Sequence, residues 1–174
     1  MIESPRALAV YTQCSCYLHG CRCGNLGDAS RECRCTGAEI QRYLSKISGP
    51  LLDRIDLHIE VPAVPYKELR GKDTGAGSKE MRDRVIRARA IQQTRGFDNA
   101  HIPSPVLRTL CALDENGERT LEMAVRRMGL SARAHDRILK VGRTIADLDG
   151  AERVSAKHLA EAVQYRSLDR NYWN

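Results

Sequence analysis

The residues after Gly77 repeat one pattern, an amphipathic helix with a capping residue at its start and a stop signal at its end. Apolar side chains recur there three or four positions apart, which is the spacing of one helix face. Ser131 is a predicted N-cap, and Gly150 ends the helix that follows it. The predicted buried stripe of that helix is Ala134, Ile138, Val141, Ile145 and Leu148. Residues 78–174 therefore predict an antiparallel helical bundle with short connections.

The other helix starts of this region carry similar signals. Ser78 is predicted to cap a long basic helix that runs to about Gly96, and Ser104 precedes a first-turn proline. Asp114 and Ser155 are the predicted caps of two further helices. The chain has one Phe and one Trp in 174 residues, so aliphatic side chains must fill its core. Such a core suits packed helices better than a β-sandwich.

Upstream of the bundle, one more helix and one strand are predicted. Thr36 and Glu39 have the spacing of a capping box, and Gly49-Pro50 ends the helix after Ile47. Apolar residues then alternate with polar ones, which is the pattern of a strand. The alternating apolar residues are Ile55, Leu57, Ile59 and Val61. The predicted fold class is mainly α, with a small α+β portion before the bundle.

Six of the seven cysteines fall within the first 35 residues, as three C-x-C pairs. Four thiolates suit tetrahedral zinc, and clustered thiols are seldom disulfides in a reducing compartment. We predict that the second and third pairs bind zinc; free or oxidised thiols in a disordered arm are the alternative. Cys14 and Cys16 are either substitute ligands or not ligands at all, and Cys111 is predicted to lie in the core. The predicted ligands are Cys21, Cys23, Cys33 and Cys35.

The formal charge of +6 favours a polyanionic partner, although an ordinary solvated basic surface explains it equally well. The helix predicted from Ser78 is the most basic segment, and Lys79, Arg82 and Arg87 are its candidate nucleic-acid contacts. Acidic residues within the same helix dilute its charge. No apolar run approaches the roughly 18 residues that span a membrane, and no leader pattern is present. We therefore expect a cytoplasmic protein without a membrane partner.

Three arginines are candidate phosphate contacts. Arg54 follows a Gly-Pro turn and precedes the predicted strand, so it is either an outward-reaching arginine finger or the partner of a neighbouring aspartate. Arg133 lies in the first turn after the Ser131 cap, where backbone N–H groups favour anions, and Arg137 lies one turn later. A solvated helix face is the alternative for both. The phosphate-loop pattern G-x-x-x-x-G-K-[ST] does not occur in the sequence.

Several long segments resemble one known family. They are "CRCGNLGDASRECRCT", "EIQRYLSKISGPLLDRIDLHIEVP", "MGLSARAHDRILKVGRTIADL" and "HLAEAVQYRSLDR". Together these segments resemble the C-terminal part of the magnesium-chelatase-like AAA+ ATPases, in the competence-protein group, from about Cys21 to Arg170. The resemblance implies a hexameric ATPase that uses ATP and Mg and remodels DNA by branch migration during natural transformation.

The resemblance also implies roles for single residues. Arg54 matches the arginine finger that acts in trans on a neighbouring subunit, and Arg133 matches the second sensor, which contacts ATP phosphate, with Arg137 beside it. The four cysteines match the family's C-P-C-G…C-x-C positions, although Arg22 stands where the family has proline.

The ATP-binding core of the family lies upstream of the resembling segments, so we expect the chain to be inactive alone. The expected organisation is an unrelated or disordered segment 1–20, a core remnant 21–70, a linker 71–77 and a helical lid 78–174. Its expected partner is the ATPase core of the same family, and dimerisation by pairing of the predicted strand is a further prediction. The alternatives are a basic nucleic-acid binding module and a non-catalytic interaction fragment.

Overall fold

The computed structural model describes residues 18–28, 30–61, 64, 66 and 75–166, which fall into two compact units, one up to Leu44 and one from Ser45. Both units are helical, and the prediction of a mainly α chain is confirmed. The helices are α1 (Gly37–Leu44), α2 (Gly49–Leu52), α3 (Ser78–Arg95), α4 (Ser104–Leu110), α5 (Glu115–Met128), α6 (Ala132–Leu148) and α7 (Ala156–Gln164), with a 3₁₀ turn at Asn99–His101.

The first unit consists of the cysteine loop and α1. The predicted capping box is confirmed, because the Thr36 backbone N–H donates to Glu39 Oε2 at 2.9 Å and the Glu39 N–H donates to Thr36 Oγ1 at 3.3 Å. Helix α1 ends at Leu44 rather than at Ile47. Gly49-Pro50 opens the short helix α2 instead of only ending the helix before it, since proline is favoured in a first helical turn.

The second unit contains the apolar core, and α6 is its central helix. Helices α3, α4 and α7 all pack against α6, and α7 also packs against α5. Ile138 of α6 and Leu159 of α7 are fully buried in this core together with Leu107 of α4. Cys111 is buried among them, as predicted, and this burial raises the pKa of its thiol to about 11.

The helix caps of the second unit follow the sequence signals closely. Asp114 Oδ1 accepts from the Gly117 N–H at 2.7 Å, and Ser131 Oγ accepts from the Ala134 N–H at 3.2 Å. At the start of α7, the Ser155 N–H donates to His158 Nδ1 at 3.1 Å, so a histidine takes the place that glutamate holds in an ordinary capping box.

Two predicted caps are displaced by one residue. Ser78 and Ser104 are the first residues of α3 and α4, and the cap positions belong to Gly77 and Pro103. The carbonyl of Gly77 accepts from the Met81 N–H at 3.1 Å, which starts α3 one residue before the serine. The carbonyl of Pro103 starts α4 in the same way.

The predicted strand at residues 55–61 is wrong, since no residue of the described chain forms a strand. A strand requires a neighbour that completes its hydrogen-bond ladder, whereas alternation alone only assigns side chains to two faces. The alternating apolar residues do not form a buried face either. His58 is 6% exposed, whereas Leu57 and Ile59 are 47% and 62% exposed.

The predicted linker at 71–77 lies mostly outside the described residues, and so does the segment 1–17; both assignments stay predictions. No helix in the described part of the chain is long and apolar enough to cross a membrane.

Candidate functional site

The four predicted zinc ligands lie together in the first unit. The Sγ atoms of Cys21, Cys23, Cys33 and Cys35 all lie within 4.8 Å of one another, and all four are free thiols. Cys21 Sγ is 3.3 Å from Cys23 Sγ and 3.6 Å from Cys33 Sγ. Tetrahedral zinc with bonds of about 2.3 Å places its sulfur ligands ~3.8 Å apart. The cluster therefore has the dimensions of a zinc site.

Tight turns bring these thiols together. The Gly24 N–H donates to the carbonyl of Cys21 at 3.2 Å, which closes the turn between the first two cysteines. Gly24 has a φ of 81°, a conformation that a residue with a Cβ rarely adopts. Farther along the loop, Asp28 Oδ1 accepts from the backbone N–H and the hydroxyl of Ser30, both at 2.7 Å. The loop is therefore ordered by its own backbone and short polar side chains.

The thiols of the cluster differ in acidity. The backbone N–H of Asn25 and the neighbouring Cys21 lower the pKa of Cys23 to about 6. The backbone N–H of Cys35 acts to lower the pKa of Cys33, but partial desolvation and the hydrogen bonds with Cys21 and Cys23 outweigh it and raise that pKa to about 12. The pKa of Cys35 is also raised, although the Cys23 backbone opposes this and contact with the Cys23 thiol favours it. Two of the four thiols thus hold their protons most strongly.

In the second unit, Arg54 lies in the turn that follows α2. The Arg54 N–H donates to the carbonyl of Leu51 at 3.0 Å, and its side chain is exposed. Both aspartates near it contact other groups. Asp53 Oδ2 accepts from the Ser131 hydroxyl at 3.1 Å, and Asp56 is paired with Arg137. No carboxylate among the described residues pairs with Arg54.

The other two arginines are on α6. Arg133 is exposed in the first turn, two residues after Ser131. Arg137 is partly buried, and its guanidinium contacts the carboxylate of Asp56. Burial, together with the nearby Arg166, lowers the pKa of Arg137. The hydrogen bond from the Ser131 hydroxyl to Asp53 joins the start of α6 to the turn that carries Arg54. Arg133 lies two residues after this contact.

The predicted nucleic-acid contacts lie on the exposed half of α3. Every residue from Ser78 to Arg87 is exposed, including Lys79 and Arg82. The second half of the helix packs against α6 through Ala88 and Gln92, which are buried. The basic residues of this half contact acidic ones, since Arg89 pairs with Asp98 and Arg95 with Asp147. The exposed cations of the first half of α3 therefore form the larger solvent-facing basic surface, whereas the exposed Arg89 of the second half is paired with a carboxylate.

Sequence reasoning missed a buried polar network in the core. Asp147 is 1% exposed and accepts from Arg95, from Asn99 Nδ2 at 2.7 Å and from Arg143 Nε at 3.1 Å. Arg143 also donates to the carbonyls of Ala151 and Glu152 at 2.6 and 2.8 Å. The available signal was an opposite-charge pair four residues apart in α6, Arg143 and Asp147, although the pair lies on the side of the helix opposite the predicted apolar stripe.

The chain is similar to known proteins along most of its length. Residues 75–166 match the family described as magnesium chelatase, subunit ChlI C-terminal. Residues 10–69 match the family described as magnesium chelatase, subunit ChlI, so this match begins within the segment 1–20.

Three curated relatives illustrate the similarity. Competence protein ComM of Haemophilus influenzae is 45% identical over 139 residues, which cover 79% of this chain and 27% of the relative. The uncharacterized protein YifB of Escherichia coli is 42% identical over 79% of this chain and 28% of its own length. The uncharacterized protein Rv2897c of Mycobacterium tuberculosis is 36% identical over 78% of this chain and 28% of its own length. The chain thus spans little more than a quarter of these relatives.

Proposed function

Because the chain belongs to the magnesium chelatase ChlI family, we propose that it is the lid and arginine-finger portion of an AAA+ ATPase. In this proposal Arg54 contacts the γ-phosphate of ATP bound by an ATPase core of the same family, in trans, within a hexamer. Arg133 contacts phosphate as the second sensor. Mg and ATP are bound by the complete core, and this chain supplies the cationic groups that stabilise transition-state charge.

One observation carries the proposal. Arg54 and Arg133 are both exposed, while the aspartates near them contact Ser131 and Arg137. An arginine that is not neutralised by a local carboxylate keeps its planar, permanently charged donors available for a phosphate. The alternative of a local ion pair at Arg54 has no partner among the described residues.

Arg137 takes a smaller part in this proposal than the sequence indicated. Its guanidinium already binds Asp56, so a phosphate contact requires that ion pair to open. The role of Arg137 beside Arg133 remains a prediction.

The decisive experiment uses a chimaera of the Haemophilus influenzae relative in which this chain replaces the matched segment. Arg54→Ala is expected to lower kcat for ATP hydrolysis by about 10³-fold or more, the effect of losing an arginine finger. Arg133→Ala is expected to raise KM for ATP by about 10-fold, because a charge-assisted hydrogen bond is lost. Arg108→Ala, which removes an exposed arginine of α4, is the matched control and should leave both constants unchanged.

A mixing experiment tests whether Arg54 acts in trans. Mixing the Arg54→Ala chimaera with one whose phosphate-loop lysine is replaced should restore hydrolysis, since each supplies the part that the other lacks. Hydrolysis by Arg54→Ala at the rate of the parent chimaera would refute the proposal. The chain alone is expected to hydrolyse no ATP.

We further propose that Cys21, Cys23, Cys33 and Cys35 bind a structural zinc ion. The sulfur separations support this, and four protein ligands leave no open position for a substrate, as in structural rather than catalytic zinc sites.

DNA remodelling by the complete protein, including branch migration in natural transformation, is proposed on the family alone. The exposed half of α3 is the surface that fits this activity, with Lys79, Arg82 and Arg87 as phosphate contacts. Their triple replacement by alanine should reduce the slope of log affinity for duplex DNA against log salt by roughly 3. The same replacement at Arg119 and Arg126, which pair with glutamates on α5, is the control. An unchanged slope in the triple variant would exclude this surface. Dimerisation of the chain stays a prediction.

A further inference from the structure

We propose that Asp53 is a positioning residue that fixes the Arg54 turn to the start of α6, so that the finger and Arg133 move as one body. This inference rests on the proposed function of Arg54 and adds the contact by which the lid controls it. The strand predicted to follow Arg54 is absent from the described residues, so other contacts hold the Arg54 turn in place.

The Asp53 carboxylate connects the two elements directly. Its Oδ2 atom accepts from the Ser131 hydroxyl at 3.1 Å, while the same hydroxyl oxygen accepts from the Ala134 N–H at 3.2 Å. One serine therefore caps α6 and binds the turn at the same time. Removing the Asp53 carboxylate breaks the link to the turn and leaves the cap of α6 in place.

A buried arginine holds the other side of the turn. Arg166 is 1% exposed, lies just after α7, and donates through Nη1 to the carbonyl of Ile55. Its Nη2 lies 3.7 Å from Asp53 Oδ1. The residues immediately before and after Arg54 are thus both anchored, and the Arg54 side chain projects from between them. The Arg137–Asp56 pair and the His58 N–H, which donates to the carbonyl of Tyr165 at 2.7 Å, extend this anchoring along the segment.

These contacts join residues that are far apart in the sequence, and no local contact orients the Arg54 turn in their place. Asp53 and Ser131 are 78 residues apart, and Ile55 and Arg166 are 111 residues apart. Helix α2 has only four residues, and the turn bond from Arg54 to Leu51 sets the local backbone without orienting it toward α6. The direction of Arg54 is therefore a tertiary property, decided by α6 and by the residues after α7.

The test uses the same chimaera and measures kcat and KM for ATP in a double-mutant cycle. Asp53→Ala is expected to lower kcat by about 10- to 100-fold, the effect of misplacing a catalytic group by about 1 Å, with KM changed less than twofold. On the Arg54→Ala background, Asp53→Ala is expected to have no further effect on kcat, because Asp53 acts through Arg54. Asp136→Ala removes a half-exposed carboxylate of α6 and is the matched control, expected to be silent.

A second, conservative variant distinguishes loss of positioning from misfolding. Asp53→Asn keeps an acceptor for the Ser131 hydroxyl and removes only the charge that faces Arg166. It should give a smaller loss of kcat, with the same lack of further effect in the Arg54→Ala background.

The outcomes separate the two proposals. If Arg54→Ala leaves kcat unchanged, the proposed function itself fails. If Arg54→Ala lowers kcat but Asp53→Ala and Asp53→Asn do not, only the positioning role is overturned. An additive loss in the double variant overturns it as well, since a purely structural residue lowers activity independently of Arg54.

Discussion

The two units of the chain are stabilised in different ways. In the described part of the first unit, Cys21 is the only buried residue, and α1 buries no side chain at all. The second unit has a continuous apolar core around α6, with Ile138, Ala146 and Leu159 almost completely buried. The first unit therefore relies on a cluster of thiols and the second on the burial of apolar surface.

The two kinds of stabilisation are physically distinct. A metal bound by four thiolates supplies free energy to a segment that buries little apolar surface, whereas the helical unit is stabilised by its apolar core. Chelation, core substitution and cap substitution should therefore affect the two units unequally.

Metal removal should give the largest difference in stability between the two units. Cys33→Ser, or treatment with a chelator, is expected to abolish amide-exchange protection in the cysteine loop, residues 18–35, because zinc binding contributes about 10–16 kcal/mol in small structural sites. Protection of residues 78–166 should be unchanged. Cys14→Ser is the control and should retain one zinc per chain in native mass spectrometry. Protection of residues 18–35 in the absence of zinc would contradict the comparison.

The number of protons released when zinc binds provides a second test of the thiol cluster. At pH 7.5 Cys23, with a pKa of about 6, is a thiolate, whereas Cys33, with a pKa of about 12, holds its proton and the raised pKa of Cys35 favours the same state. Zinc binding should therefore release the protons of Cys33 and Cys35 but none from Cys23, so fewer than four in total, measured by calorimetry in buffers of different ionisation enthalpy. Below pH 6 Cys23 is also protonated, so the affinity should fall more steeply. Release of four protons at pH 7.5 would show that these thiols do not differ as described.

Disruption of the buried polar network around Asp147 should give the next largest loss of stability. Asp147→Ala should reduce the free energy of unfolding of the helical unit by about 3–5 kcal/mol, because it leaves the charge of Arg143 buried without its carboxylate. Urea unfolding followed by circular dichroism measures this loss. Glu115→Ala breaks an exposed pair with Arg119 and should cost at most about 0.5 kcal/mol. Equal costs would mean that burial of the network contributes little.

Helix caps should give the smallest effect, and they test whether each unit responds as a whole. Asp114→Ala is expected to lower the unfolding free energy of the helical unit by about 1 kcal/mol. Thr36→Ala removes the capping box of α1 and should increase amide exchange only within α1, because no buried side chain transmits the change. A loss of protection in the cysteine loop after Thr36→Ala would show that α1 supports the thiol cluster.

Much of the fold was predictable because it depends on neighbours in the sequence. The caps at Thr36, Asp114 and Ser131 form hydrogen bonds over three residues, so their spacing is sufficient to identify them. The cysteine cluster was predictable for a related reason, since each pair is separated by a single residue in the sequence.

The remaining features depend on partners far along the chain. Alternation at residues 55–61 predicted a strand, but whether such a segment pairs is decided by other segments. Arg137 and Arg143 are both arginines of α6, yet one contacts the partly exposed Asp56 and the other is buried in the core with Asp147. Periodicity assigns a residue to a helix face without saying what packs against that face.

The sequence by itself determined most of the helices of this protein and the caps at Thr36, Asp114 and Ser131, because those properties arise within a few residues, and the C-x-C spacing identified the thiol cluster. The tertiary structure decided which charges are buried, which arginines face solvent, and what holds the Arg54 turn. The physical reason is that the energy of a charge depends on its surroundings, and here those surroundings are supplied by residues 78 to 111 positions away.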